Sequence, residues 1–274
     1  MKFSMGLAAV LLATVPSLRA TPFTLVGAAA ATGNRLRLTG AAENQVGAAW
    51  LTGRTDVQYG FTAGFQFQIT ERGGYKPDWE PGVFNDGADG FTFTIQNAGQ
   101  TALGLYASGI GYYGIPNSLS IEFDTWNNKP SYCEPNGNHI AVQSLGAAGN
   151  QPEHCADAGG AFPNPTLGIA SPAKDMSNGT IYDVLITYLP GALSIYFDDL
   201  STPLLTVNVN LGSLLNLENG RDAYVGFTSS TGGAWENHDI LGFSYAAIPE
   251  PGTMLLAGGA LLAIAALRRQ RPAP

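Results

Sequence analysis

The chain has 274 residues, 45% of them hydrophobic and only 12% charged, with 35 glycines and 17 prolines. That length accommodates one large all-β domain, and low charge with apolar residues spread throughout excludes a disordered tail and a coiled coil. Residues 21–247 carry 20 acidic against 8 basic side chains, a balance that repels phosphate backbones and argues against nucleic acid as a partner.

At the amino end Lys2 precedes the apolar run Met5–Val15, then Pro16, Ser17 and the small residue Ala20. This pattern predicts a secretory signal over residues 1–20 with cleavage after Ala20. The middle, 21–247, reads as a single domain built of strands. Residues 60–71 (GFTAGFQFQITE) place Phe61, Phe65, Phe67 and Ile69 at odd positions; 90–96 repeat the alternation with Phe91, Phe93 and Ile95, and 119–125 with Leu119, Ile121 and Phe123. Period two over such runs predicts half-buried strands. Pro190-Gly191 between 182–189 and 192–198 predicts a hairpin. Further strands are expected at 46–52, 139–145, 204–210, 223–229 and 238–246. No amphipathic helix of ten residues stands out between the two ends. Ten or more strands with Gly-rich turns predict an all-β, two-sheet jelly-roll sandwich.

Cys133 and Cys155 are the two cysteines of a chain marked for export, which predicts one disulfide. A thiol–metal site through His154 and Cys155 is the alternative, and it has few other ligands nearby.

The chemistry concentrates in 121–139, IEFDTWNNKPSYCEPNGNH. On a strand, Glu122 and Asp124 share the face opposite Ile121 and Phe123. Adjacent carboxylates repel unless a cation, a proton or solvent intervenes. Asn128, Glu134 and His139 follow, so oxygen donors and an imidazole cluster in a short span. Oxygen donors suit Ca2+, and a carboxylate–imidazole set suits a transition metal such as Mn2+. Ordinary surface acids on a solvent-facing strand are the plain alternative.

Glu122-Phe-Asp124-Thr-Trp126-x-Asn128, followed by Glu134 and, five residues on, His139, resembles the metal-binding signature of the L-type (legume-lectin-like) lectins. The resemblance implies a concanavalin A-like sandwich of the lectin and glucanase type. It implies a transition metal held by Glu122, Asp124, Glu134 and His139. It also implies calcium held by Asp124, the Trp126 carbonyl, Asn128 and Glu134. Glu134 departs from the Asp usual at its position, and the loop before it is expanded. By the same resemblance Asp89, at the head of a strand, is a carbohydrate-binding residue preceded by a cis peptide bond. The loop Gly109–Gly114 offers a backbone amide, that of Gly111, to a sugar hydroxyl. Asn128 and Trp126 contribute an amide and an apolar ring, and the late loop with Gly233 and Ala234 selects among sugars.

Beta-glucanases of the same fold carry Glu-x-Asp-x-x-Glu, and retaining hydrolysis needs that second carboxyl group. Here Asn127 stands in its place and cannot donate a catalytic proton. The expectation is therefore a calcium-dependent carbohydrate-binding protein without catalysis, its partners glycans or exopolysaccharide. A matrix component that uses the fold only as scaffold, and less favourably a glycoside hydrolase, are the alternatives.

At the carboxyl end Pro249-Glu250-Pro251 leads into the uncharged run Met254–Leu267 and then Arg268, Arg269 and Arg271. Fourteen helical residues span about 21 Å, short of a bilayer core of about 30 Å, so only transient membrane contact is expected. The order of parts resembles the PEP-CTERM sorting signal. That resemblance makes 248–274 a sorting segment and implies handling by an exosortase and delivery to the surface or extracellular matrix of a Gram-negative bacterium.

Overall fold

The aromatic alternation of the middle segment folds into the inner face of a β-sandwich. The computed structural model describes residues 23–75, 87–128, 132–156 and 163–250; the expected signal sequence and the apolar carboxyl-terminal run lie outside them. No helix among the described residues is long and apolar enough to cross a membrane.

In chain order the strands are β1 (Phe23–Gly27), β2 (Ala30–Thr32), β3 (Arg35–Thr39), β4 (Val46–Leu51), β5 (Thr55–Asp56), β6 (Phe61–Gly74), β7 (Gly90–Gln96) and β8 (Ser118–Asp124). They continue with β9 (His139–Gln143), β10 (Thr166–Ala170), β11 (Ile181–Leu189), β12 (Ala192–Phe197), β13 (Leu205–Val207), β14 (Asp222–Ser230) and β15 (Ala234–Ala247). One sheet runs β1-β4-β14-β7-β8-β9-β10, with β5 attached to β14; the other runs β13-β12-β11-β6-β15-β3-β2. The strand pairings among the described residues are antiparallel, and the expected hairpin joins β11 to β12 with Leu189 opposite Ala192. All ten expected strands exist, several one to four residues shorter or longer at their ends.

Five strands go beyond the sequence expectation: β1, β2, β3, β5 and β10. Most are short, and β1, β2 and β10 lie at sheet edges. A helical turn, α1 (Leu211–Leu214), is capped by the Asn210 side chain.

Between the sheets, Phe61, Phe65, Phe67 and Ile69 of β6 meet Phe91, Phe93 and Ile95 of β7 and Leu119, Ile121 and Phe123 of β8. Phe91 and Phe123 stack at 4.6 Å between centroids, and Phe65 meets Phe123 and Phe227 edge to face. Such pairs favour offset-stacked or edge-to-face geometry, and each fully buried Phe contributes about 1.5–3 kcal/mol.

β6 alternates buried and half-buried residues, as expected of a sheet with one wet face, but every residue of β7 and β8 is buried. Their second face carries Thr92, Thr94, Ser120, Glu122 and Asp124. The loop after β7 covers part of it, with Ile110, Tyr112 and Ile115 packed on Trp50 of β4. Glu122 and Asp124 thus share a face opposite the aromatic core, as the alternation requires. The face is closed rather than solvated, which removes the reading of ordinary surface acids.

Candidate functional site

Three loops meet over the β14-β7-β8 part of the larger sheet. The first is anchored there by main-chain bonds, the other two also by side chains of those strands.

The first leads into β7. Ala88–Asp89 is a cis peptide bond. The Asp89 amide donates to Ser230 O at 3.0 Å and its carbonyl accepts from the Thr125 amide at 3.2 Å. Asp89 is therefore tied at once to the end of β14 and to the loop after β8. Its Oδ2 is buried without a hydrogen-bond partner, as is Oε2 of Glu236. Burial first, then the charge of Glu236, pushes the Asp89 carboxyl well above the usual carboxylate range. Glu236 Oε1 accepts from the Thr125 hydroxyl and lies 3.2 Å from His238 Nε2. Sequence reasoning missed Glu236, because Thr125 and Asp89, which it faces, stand more than 100 positions away. His238 Nδ1 is 2.8 Å from Thr39 Oγ1, so it is a satisfied strand residue.

The second loop, between β7 and β8, contains the glycines. Gly111 has φ +71°, and a Cβ there would meet Ser229 O at 2.9 Å and Ser229 N at 3.1 Å. Glycine permits both the left-handed conformation and the close approach to β14. Its amide, however, donates to Leu105 O at 2.9 Å. The expected donation from Gly111 to a sugar is corrected by this bond: the amide closes the loop on itself. The residue of this loop that reaches the Asp89 side is Ala107. The Ala107 Cβ lies 3.2 Å, and Asp89 Oδ2 3.4 Å, from where a Cβ of Gly232 would stand. Asp89, Ala107 and Gly232 thus surround one small space.

The third loop follows β8. Asp124 Oδ1 accepts the Trp126 amide at 2.7 Å, and a Glu134 carboxylate oxygen accepts the Asn128 amide. These two bonds wrap residues 125–128 around a pair of buried acids. Asp124 and Glu134 are each 3% exposed. Burial first, then the charges of Glu134 and Glu122, pushes the Asp124 carboxyl well up. A hard cation would relieve that repulsion, and the donor set of two carboxylates, the Trp126 carbonyl and the Asn128 amide oxygen fits calcium.

A second group of candidate ligands lies beside the first and differs from the set expected for a transition metal. Glu122, His139 and His154 place one ligand atom each within 4.8 Å of one another. Asp124 and Glu134 are not in that group, and His154, which sequence reasoning paired only with a thiol, is. The thiols are instead joined: Cys133 and Cys155 form a disulfide with Cα atoms 5.9 Å apart. Its pairing carries His154 onto β8, with Glu122 Oε1 3.0 Å from His154 Nε2 and 3.6 Å from His139 Nε2. Burial raises Glu122, but the two imidazoles outweigh it and hold the carboxyl down at about 2. The other oxygen, Oε2, accepts the Tyr112 hydroxyl at 2.7 Å, which couples the glycine loop to the acid strand.

Trp126 and Asn128 are half-buried at the rim. Gly233 is exposed and its carbonyl accepts the Tyr75 amide at 2.8 Å, whereas Ala234 is buried and pairs with Gly74 in the sheet. Ala234 is therefore a strand residue behind the loop. Tyr75, 63% exposed, is tied to this loop by that bond to Gly233, and Tyr106, 53% exposed, precedes Ala107 in the glycine loop. Neither was singled out in the sequence, since an isolated Tyr in a loop carries no pattern.

The model of the legume lectin β-barrel domain family matches residues 16–241, and that of the PEP-CTERM protein-sorting motif matches 247–270. Two Arabidopsis thaliana L-type lectin-domain containing receptor kinases, S.7 and IV.1, are 33% and 28% identical over 178 and 166 residues. Each match covers 57% of this chain and 23% of the kinase, so the chain spans about a quarter of the length of these curated relatives. Among solved structures, a Bauhinia forficata lectin in complex with GalNAc aligns with TM-score 0.62 at 19% identity, over 84% of this chain and 95% of that one. The Ca2+/Man-bound exoplasmic/lumenal domain of VIP36 aligns with TM-score 0.59 at 16% identity, over 84% and 85%. Lectin II from Ulex europaeus gives 0.60 at 19%, over 82% and 92%. At these identities the structures establish likeness of fold.

Proposed function

This chain belongs to the legume L-type lectin domain family and carries a PEP-CTERM sorting motif, and from that premise we propose an exported, calcium-dependent carbohydrate-binding protein that recognises its ligand without turning it over. The observation that carries the reading is the buried Asp124–Glu134 pair beneath Asp89, whose Oδ2 lacks a partner. The domain takes residues 21–247, after a signal over 1–20 and before a sorting segment over 248–274.

Asp124, the Trp126 carbonyl, Asn128 and Glu134 would hold calcium, and Glu122 and His139 a second divalent ion. Bound calcium supplies positive charge that neutralises the acids. The work on the ligand falls to the chain's own groups. Asp89 Oδ2 accepts from a sugar hydroxyl, and the Asn128 amide nitrogen donates to an adjacent one. Trp126, Tyr75 and Tyr106 offer apolar ring faces to the C–H side of a pyranose. Each direct hydrogen bond contributes about 1 kcal/mol net, so a single shallow cup binds weakly and useful avidity requires several sites. Display at the cell surface or in an exopolymer matrix after exosortase-type processing provides that multiplicity.

The absence of turnover is part of the same reading. Asn127 stands where a glucanase has its second carboxyl, and Glu122 is sealed beneath Tyr112 and the two imidazoles. Glycan-array capture with and without chelator, repeated with Asn128→Ala, tests the proposal. Capture lost on chelation and in the variant supports it; release of reducing sugar, or no capture in either state, contradicts it.

A further inference from the structure

We infer that His154, delivered by the Cys133–Cys155 loop, is a direct protein ligand, making the second metal site a two-histidine, one-glutamate centre selective for a borderline ion such as Zn2+ over Mn2+. This rests on the second-ion part of the reading above and adds both the ligand and the class of ion.

The first support is metric. His139 Nε2 and His154 Nε2 are 3.1 Å apart, and Glu122 Oε1 is 3.6 Å from the first and 3.0 Å from the second. Ligand atoms about 2.1 Å from one ion are separated by about 3.0 Å in octahedral and about 3.4 Å in tetrahedral geometry. The three atoms therefore have the spacing of neighbouring corners of one coordination sphere.

The second support is the arrangement of protons. Two imidazole Nε2 atoms facing each other at 3.1 Å can share one proton at most without repulsion, and two bare lone pairs repel as well. Both lone pairs can point the same way if each ring carries its proton on Nδ1, and each Nδ1 has an acceptor within reach. His139 Nδ1 is 2.8 Å from Asn136 O, and His154 Nδ1 is 3.2 Å from Thr166 Oγ1. Metal-bound histidines typically have such outer partners, which fix the tautomer. Gln143 Nε2 also lies 3.1 Å from His154 Nδ1, while its Oε1 is buried without a partner. The same Nε2 donates to Glu122 Oε1 at 3.2 Å, which holds the carboxylate beside the imidazole.

The third support is the anchoring of the loop. The His154 amide donates to Tyr132 O at 2.8 Å, and the disulfide joins the residues that follow each of them. Both the His139 and His154 side chains are almost fully buried, at 0% and 3% exposure. The imidazole is thus held over β8 by covalent and backbone restraints. Nitrogen-rich sets favour zinc over manganese, in line with the general order of divalent affinities. Three protein ligands leave further positions of the ion to water.

The test is equilibrium dialysis with elemental analysis on the calcium-loaded, oxidised protein, using Zn2+ and Mn2+ separately and Co2+ as a spectroscopic probe. One zinc per chain is expected, bound more tightly than manganese. His154→Ala should weaken zinc by about 100-fold or more, and Thr166→Val by about 10-fold. The visible Co2+ bands should shift in His154→Ala. Equal zinc affinity in wild type and His154→Ala, or no zinc retained by the wild type, overturns the inference; either result would leave glycan capture and its calcium dependence to be judged separately on the same samples.

Discussion

Gly111 offers a way to separate close packing from backbone conformation in the loop that forms the back of the cup. Gly111 and Gly114 both have positive φ, +71° and +86°. Alanine in the left-handed region costs about 1–2 kcal/mol at either position. At Gly114 an added Cβ has nothing within 4 Å, whereas at Gly111 it meets Ser229 O at 2.9 Å, Ser229 N at 3.1 Å and Thr228 Cβ at 3.1 Å. Those contacts involve β14, a central strand that cannot yield as a flexible side-chain tip would. Overpacking of this kind adds about 1–3 kcal/mol. For a domain of this size, 1 kcal/mol shifts the midpoint of thermal unfolding by about 2–4 °C. Gly111→Ala is therefore predicted to unfold about 2–12 °C below Gly114→Ala. It should also lose glycan capture, because lifting the loop draws Tyr112 from Glu122 and Ala107 from the Asp89 side. Melting curves of the two variants, read by circular dichroism in saturating calcium, check this. Equal midpoints would refute the claim that the glycine is required by its contact with β14.

Three further outcomes are expected. Asp89 and Asp124 have carboxyls raised by burial and neighbouring acids, and a raised folded value favours folding at low pH and loses that contribution as pH rises. Chelated protein should therefore lose stability as pH rises from the ordinary carboxylate range, a window in which Glu122, held at about 2, is already ionised and contributes no slope. Saturating calcium should flatten that dependence, and a chelated protein that gains stability across the window would contradict it. Joint Cys133→Ser and Cys155→Ser substitution removes the cross-link over a separation of 22 residues and should cost about 3 kcal/mol in urea titrations. Asp239, with a fully buried side chain, accepts from Arg35 at 2.9 Å and from Arg37 through two nitrogens at 2.8 Å. Asp239→Ala should cost about 1–3 kcal/mol, since the two partly exposed arginines can regain water, and Arg35→Ala should cost less in the same titration.

The strands of the sandwich were legible where aromatic alternation is strong, because a phenylalanine at every second position has one stable place, between two sheets. β3 was legible in principle, with Leu36 and Leu38 alternating with two arginines, but five residues give a weak period. β10 and β1 are edges whose definition comes from β9 and β4, which no local pattern reveals. Glu122, Asp124, Asn128, Glu134 and His139 stood out because they lie within eighteen residues on one strand and its loop. His154 and Glu236 did not, since a disulfide and a distant strand bring them in. The bonding of the Gly111 amide is a property of the loop's closed conformation, and glycine spacing carries no information about where an N–H points.

The account as a whole turns on cation binding by the acids of β8 and its following loop shaping the sugar cup. The most direct measurement titrates calcium into chelated protein and follows bound calcium and glycan capture on the same samples. The two are predicted to rise together with a common midpoint, and both to be lost in Asp124→Asn. Full-strength capture by protein that holds no calcium would contradict it.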